Sequence, residues 1–141
     1  NNQPFHYACL GVAESSNTPA LFTYAKQTNT RYLLDINCNI QAAKQLLEPM
    51  LTTVDELYVT VCLDAFPAHI APGVSAPSAL GIPVEFVVHM LHWIAQSQTA
   101  LSYHWRLTDI AEMNPYYDID NRTAKLAARL IYELVRSKFN K

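Results

Sequence analysis

The segment Leu57-Tyr58-Val59-Thr60-Val61-Cys62-Leu63 is apolar, rich in β-branched residues and shows almost no alternation. A strand with one wet face alternates apolar and polar residues; a strand covered on both faces does not, and such strands belong to parallel sheets flanked by helices. The segment is therefore expected at the centre of a mainly parallel sheet. The rest of the chain fits, because strand-length apolar runs alternate with longer segments of helical period. Phe5 to Val12 is the first run, and Asn17-Thr18-Pro19 then offers a cap and a first-turn proline for a helix reaching about Thr28. Tyr32 to Ile36 is the second, followed by Ile40, Ala43, Leu46, Leu47 and Met50 on one helix face. Ala65 to Gly81 is a Pro-, Ala- and Ser-rich loop, longer than the usual ~2–6 residues between strand and helix and so a candidate for function. Pro83 opens a third helix with Val84, Val87, Val88, Leu91 and Ile94 on one side. Tyr103 to Met113 is the fourth run. Asp120 or Asn121 is expected to cap a last helix whose apolar face is Ala124, Ala127, Leu130, Ile131, Leu134 and Val135. No repeat or low-complexity linker intervenes, so residues 1–141 read as a single α/β domain.

Charge and length narrow the partners. Ten Lys and Arg against twelve Asp and Glu give a formal net charge of -2, without the clustered cations that nucleic acid or an anionic membrane requires. No apolar stretch reaches the ~18–20 residues of a membrane helix, and Asn1-Asn2-Gln3-Pro4 lacks the basic-then-apolar pattern of a signal peptide. The expectation is a cytoplasmic protein with no nucleic-acid or membrane partner. Cys9, Cys38 and Cys62 are widely spaced and odd in number, so they are read as reduced.

In open parallel sheets ligands bind beyond the carboxyl ends of the strands. Two acids stand there: Asp64 after the third run and Glu112 after the fourth. A carboxylate at a strand end can hold a cation or a cationic substrate, although Asp64 can equally cap a turn and Glu112 sit solvated on a loop. Three weaker constellations compete. Cys62, Asp64 and His69 offer S, O and N donors around one loop, without an established zinc spacing. His89 and His92 share a helix face, and Cys9 with His6 pairs a thiol with a base, but both sit where packing is the default. Tyr116 and Tyr117 line a pocket mouth or simply pack. No phosphate-binding glycine loop, nucleotide fingerprint or Gly-x-Ser-x-Gly elbow is present.

Thr60-Val61-Cys62-Leu63-Asp64 followed by Ala71-Pro72-Gly73-Val74-Ser75-Ala76-Pro77 resembles the metal-binding strand end and Ala-Pro-Gly loop of the arginase, agmatinase and formimidoylglutamase family. Asp109-Ile110-Ala111-Glu112-Met113-Asn114-Pro115, continuing through Asp118 and Asp120 to Arg122-Thr123-Ala124, resembles that family's last strand, Asn-Pro turn and closing helix. Among its members the two segments look most like formimidoylglutamase, the enzyme of histidine breakdown that hydrolyses N-formimidoyl-glutamate to glutamate and formamide. The resemblance implies a three-layer α/β/α sandwich with a mainly parallel sheet, and two Mn2+ ions that activate a hydroxide toward a trigonal amidine or guanidine carbon. It implies Asp64 as a metal ligand and Glu112 as the carboxylate that pairs with the substrate's planar cation. Cys62 stands where the family has the first aspartate of the pair, and a thiolate suits softer metals than Mn2+.

The family's upstream Gly-Gly-Asp/Glu-His and Asp-Ala-His-x-Asp segments do not occur here. The resemblance thus implies the carboxy-terminal part of a longer polypeptide, with an incomplete sheet that lacks a strand between runs of this chain. It also implies partners: an amidine or guanidine substrate, and either further copies of the chain or the missing amino-terminal part. The alternative is a non-catalytic structural or subunit-interface domain that keeps the fold without the metal site.

Overall fold

The computed structural model describes residues 5–139, so the Asn1 to Pro4 segment lies outside it. Four strands alternate with four helices: β1 (Ala8–Val12), α1 (Pro19–Gln27), β2 (Arg31–Leu34), α2 (Ile40–Leu51), β3 (Glu56–Cys62), α3 (Val84–Leu101), β4 (His104–Ala111) and α4 (Arg122–Phe139). Thr18 and Pro19 start α1 as expected, but the Thr18 side chain makes no capping bond. Asn39 does cap, accepting from the Ala42 N–H at 2.9 Å.

All strand pairing is parallel, as the β-α alternation requires, yet the strands do not join into one sheet. β1 pairs with β2, from Ala8 opposite Arg31 onward, and β3 pairs with β4, from Glu56 opposite His104 to Cys62 opposite Ala111. Among the described residues no ladder connects the two pairs. Ala8 and Leu10 of β1 and Leu33 of β2 pack against the buried core. Gly11 breaks the β1 register with φ +87, and a Cβ there would lie 2.9 Å from Ile82, so the bare backbone admits the isoleucine.

The core gathers on one side. Ala43, Leu47, Met50 and Leu51 of α2, Phe86, Val87, Met90, Leu91 and Ile94 of α3, and Leu126 and Leu130 of α4 close over Val61, Leu63, Phe66 and Trp105. The opposite face of the β3–β4 pair is open: Tyr58 is 54% and Leu107 58% exposed, and Thr60 and Asp109 lie exposed beside them. The expectation that Leu57 to Leu63 is covered on both faces is therefore wrong for this chain. Its lack of alternation fits a cover that the present residues do not supply.

The last helix departs from expectation twice. Asp120 and Asn121 do not cap it; both have φ +55, in the left-handed region, and the Asp118 carboxylate instead accepts from Thr123 N–H at 2.8 Å and Ala124 N–H at 3.0 Å. Ile131 and Val135 face outward, while Thr123 and Glu133 are buried with Leu126 and Leu130. The apolar period is right for Ala127, Leu130 and Leu134, which lie in or against the core, and wrong for Ile131 and Val135, because Thr123 and Glu133 occupy inward positions with partners that satisfy them. Glu133, 1% exposed, joins α4 to α3: it lies 2.9 Å from His92 Nε2 and accepts from Arg129 Nε at 2.8 Å.

These carboxylates make the fold acid-sensitive. Arg129 holds the Glu133 carboxyl below the usual glutamate range against the opposing effect of burial, with His92 adding to the pull. Burial alone would raise Asp118, but the N–H groups of Thr123 and Ala124, the Thr123 hydroxyl and Lys125 outweigh it and lower it. A carboxyl depressed in the folded state contributes stability above its unfolded pKa of about 4, and the contribution is lost as pH falls through the folded value. The urea midpoint is expected to be lower at pH 3 than at pH 7, with a smaller difference in Glu133→Gln. Equal pH dependence in the two proteins would remove Glu133 from this account.

Candidate functional site

The last residue of β3, Cys62, lies opposite Ala111, the last residue of β4, so the next residues of both strands emerge side by side. Beyond β3 a single 3-10 turn, Leu63–Ala65, carries Asp64; its neighbour Leu63 is fully buried and anchors the turn. Beyond β4, Glu112 takes φ +70, an uncommon conformation for a residue with a side chain. Cys62, Asp64 and Glu112 thus meet at one carboxyl-end rim, where α/β sheets place ligands.

They sense one another. Burial, and next the Glu112 charge, push the Asp64 carboxyl above the usual aspartate range. Burial and then Asp64 raise the Cys62 thiol, with Glu112 and Asp109 adding and a hydrogen bond with Thr60 opposing. Such a thiol is protonated at neutral pH and a poor nucleophile. Asp109, which sequence reasoning used only as part of a motif, accepts from the hydroxyls of Thr60 and Tyr58 across the open face. Those two bonds, Thr60 first, lower its carboxyl, so Asp109 remains ionised.

The long loop is fastened to this rim. Asn114 N–H donates to Gly73 O at 2.8 Å, Gly73 N–H donates to the buried Thr123 Oγ1 at 2.7 Å, and Asn114 Nδ2 donates to Ser75 Oγ at 3.2 Å. Arg122 donates to the carbonyl of His69, whose side chain is exposed. The Ala-Pro-Gly loop and the Asn-Pro turn, widely separated in sequence, form one unit.

Among the described residues no three His, Cys, Asp or Glu side chains stand close enough to hold a metal ion. Asp64 provides a hard oxygen donor and Cys62 a protonated sulfur, and this donor set by itself does not fit a manganese pair. The Cys62, Asp64 and His69 alternative gains no more, because they too form no such group. His92 is engaged with Glu133, and His89 is exposed. Cys9 shares a hydrogen bond with Tyr7, which with the Cys9 charge and burial pushes the phenol up to about 12. Tyr116 and Tyr117 stack edge to face on each other, centroids 5.2 Å apart, and both are exposed. Sequence reasoning missed the Thr123 and Glu133 contacts, since nothing in a helical period marks a buried polar residue as paired. The three cysteines are free, as expected.

Among the described residues no helix is long and apolar enough to cross a membrane. The formimidoylglutamase of Ralstonia nicotianae is 44% identical over 135 residues, covering 94% of this chain and 40% of the relative. The chain thus spans about 40% of the length of the curated relatives it matches. The crystal structure of formimidoylglutamase from Bacillus subtilis superposes with a TM-score of 0.84 at 23% identity, covering 92% of this chain and 40% of that one. Trypanosoma cruzi formiminoglutamase with Mn2+ superposes at 0.76 and 18% identity, covering 92% of this chain and 43% of its own. These likenesses establish an arginase-like α/β fold, incomplete here, in agreement with the sequence expectation. The Arginase family model matches residues 1–136, and the chain belongs to the arginase family.

Proposed function

We propose that this chain is the carboxy-terminal part of a formimidoylglutamase, the cytoplasmic hydrolase of histidine degradation that converts N-formimidoyl-L-glutamate to L-glutamate and formamide. The observation that carries the reading is the placement of Cys62, Asp64 and Glu112 along the rim formed by the ends of two adjacent parallel strands, within range of one another's charge. Identity of 44% with a curated formimidoylglutamase supports the branch. Glu112 anchors the substrate, its two carboxylate oxygens receiving parallel N–H bonds from a planar amidinium. Asp64 is one hard ligand to the Mn2+ of the intact protein, and Cys62 stands in the other strand-end position. Residues from the remainder of the polypeptide, or from an associated chain, complete the site, so this chain alone does not turn over substrate.

A second reading, a structural or interface domain without metal, is favoured by the sulfur at Cys62 and by the lack of three convergent donors among the described residues. Cys62→Asp separates the two. It places a third carboxylate beside Asp64 and Glu112, which lowers stability without metal, and it supplies a harder donor. Measured in the full-length protein, the functional reading predicts that calorimetric Mn2+ affinity rises about tenfold or more over the parent, with the lost thermal stability restored by Mn2+ but not by Na+. Mn2+ binding indistinguishable among the parent, Cys62→Asp and Asp64→Ala would leave the structural reading.

A further inference from the structure

The left-handed turn at Glu112 needs something to hold it, since a side chain at φ +70 is disfavoured and the residue is exposed. Two residues on, Asn114 N–H donates to Gly73 O at 2.8 Å, fixing where the chain goes after the turn. Gly73 is fixed in its own right: its N–H donates to Thr123 Oγ1 at 2.7 Å, and a Cβ on it would lie 2.5 Å from the Asp118 Cβ. Thr123 is used twice, its hydroxyl accepting from Gly73 and its backbone N–H donating at 2.8 Å to the Asp118 carboxylate that caps α4. Thr123 is fully buried, so no water can replace it without opening the helix start.

We propose that Thr123 is a positioning residue, which through Gly73 and Asn114 sets the backbone turn that aims Glu112. The substrate-anchoring part rests on the reading of Glu112 given under Proposed function. The pathway runs through two successive peptide groups, one carrying the Gly73 N–H and the next its C=O, joined at a Cα that is pressed against Asp118. A threonine that merely filled space would be replaced well by valine, which has the same shape; a threonine that positions the turn is replaced by serine, which keeps the oxygen.

The test is amide hydrogen exchange and chemical shift on the isotopically labelled 141-residue chain, with Thr123→Val and Thr123→Ser. Thr123→Val is expected to speed exchange at Gly73 and Asn114 together by about tenfold or more and to move the Glu112 resonances, while those of β1 and β2 stay in place. Thr123→Ser is expected to restore both. The proposal is overturned if valine frees Gly73 but leaves Asn114 and Glu112 unchanged, or if serine and valine behave alike. If the valine variant does not fold, the parent decides: equal protection of Gly73 and Asn114 supports the link, and protection differing by more than about tenfold overturns it. Titration with guanidinium ion reads the anchoring role separately. Shifts at Glu112 that weaken in Thr123→Val support positioning for ligand; no response in the parent, with the exchange coupling intact, supports the link and rejects the anchor.

Discussion

Alanine at Gly81 is expected to destabilise the chain by about 3 kcal/mol or more, combining the left-handed backbone penalty with overpacking. Gly81 has φ +63, and a Cβ there would stand 2.4 Å from Pro67 N and 2.6 Å from Phe66 C. Those are backbone atoms and cannot swing aside as the tip of a side chain can. The crowding is fixed by the loop's own bonds, Ala68 N–H to Ser78 O at 2.8 Å and Ile82 N–H to Ala65 O at 2.9 Å, which bring the two ends of the loop together. Alanine must break that closure or distort it. Urea unfolding checks this: a midpoint shift equivalent to less than about 1 kcal/mol would mean that the loop ends separate at little cost.

Phe66→Ala is expected to cost about 3–5 kcal/mol, the range for emptying a buried aromatic site. Phe66 is fully buried although it belongs to the loop and not to a strand or helix. It lies directly after the 3-10 turn that bears Asp64, and its N–H donates to Leu63 O at 3.3 Å. Against a typical domain stability of about 5–15 kcal/mol, such a loss approaches unfolding. Phe66→Leu, keeping most of the volume, should recover most of it, and calorimetry on both variants checks the pair. Equal losses for leucine and alanine would show that the site depends on ring shape and not on filled volume.

Much of this architecture was legible because its signals are local. The β-branched run at Leu57 to Leu63 and the spacing of Ile40, Ala43, Leu47 and Met50 are properties of neighbouring residues, and β3 and α2 appear where those patterns lie. Asp64 and Glu112 were found through their places past strand ends, and parallel pairing puts those ends together. Non-local features were not legible. Capping of α4 by Asp118 depends on the left-handed residues Asp120 and Asn121, which let the chain double back toward the helix start. The open face of β3 follows from what is not packed against it, which the strand's own composition cannot report.

The division of the strands into two separate pairs bears on how the chain comes apart. Backbone ladders make a sheet cooperative, and here none runs between β1–β2 and β3–β4 among the described residues. None of the residues of β1, β2 or α1 is fully buried, whereas the core proper begins at Ala43. The β1–α1–β2 unit is therefore expected to open separately, being held to the core by Ala8, Leu10 and Leu33 and by the Ile82 side chain against Gly11. A protease that cuts extended chain will find residues 8–34 well before the β3–α3–β4–α4 unit unfolds. The first nick in this protein reports the docking energy of one subunit of the fold, not the stability of the whole.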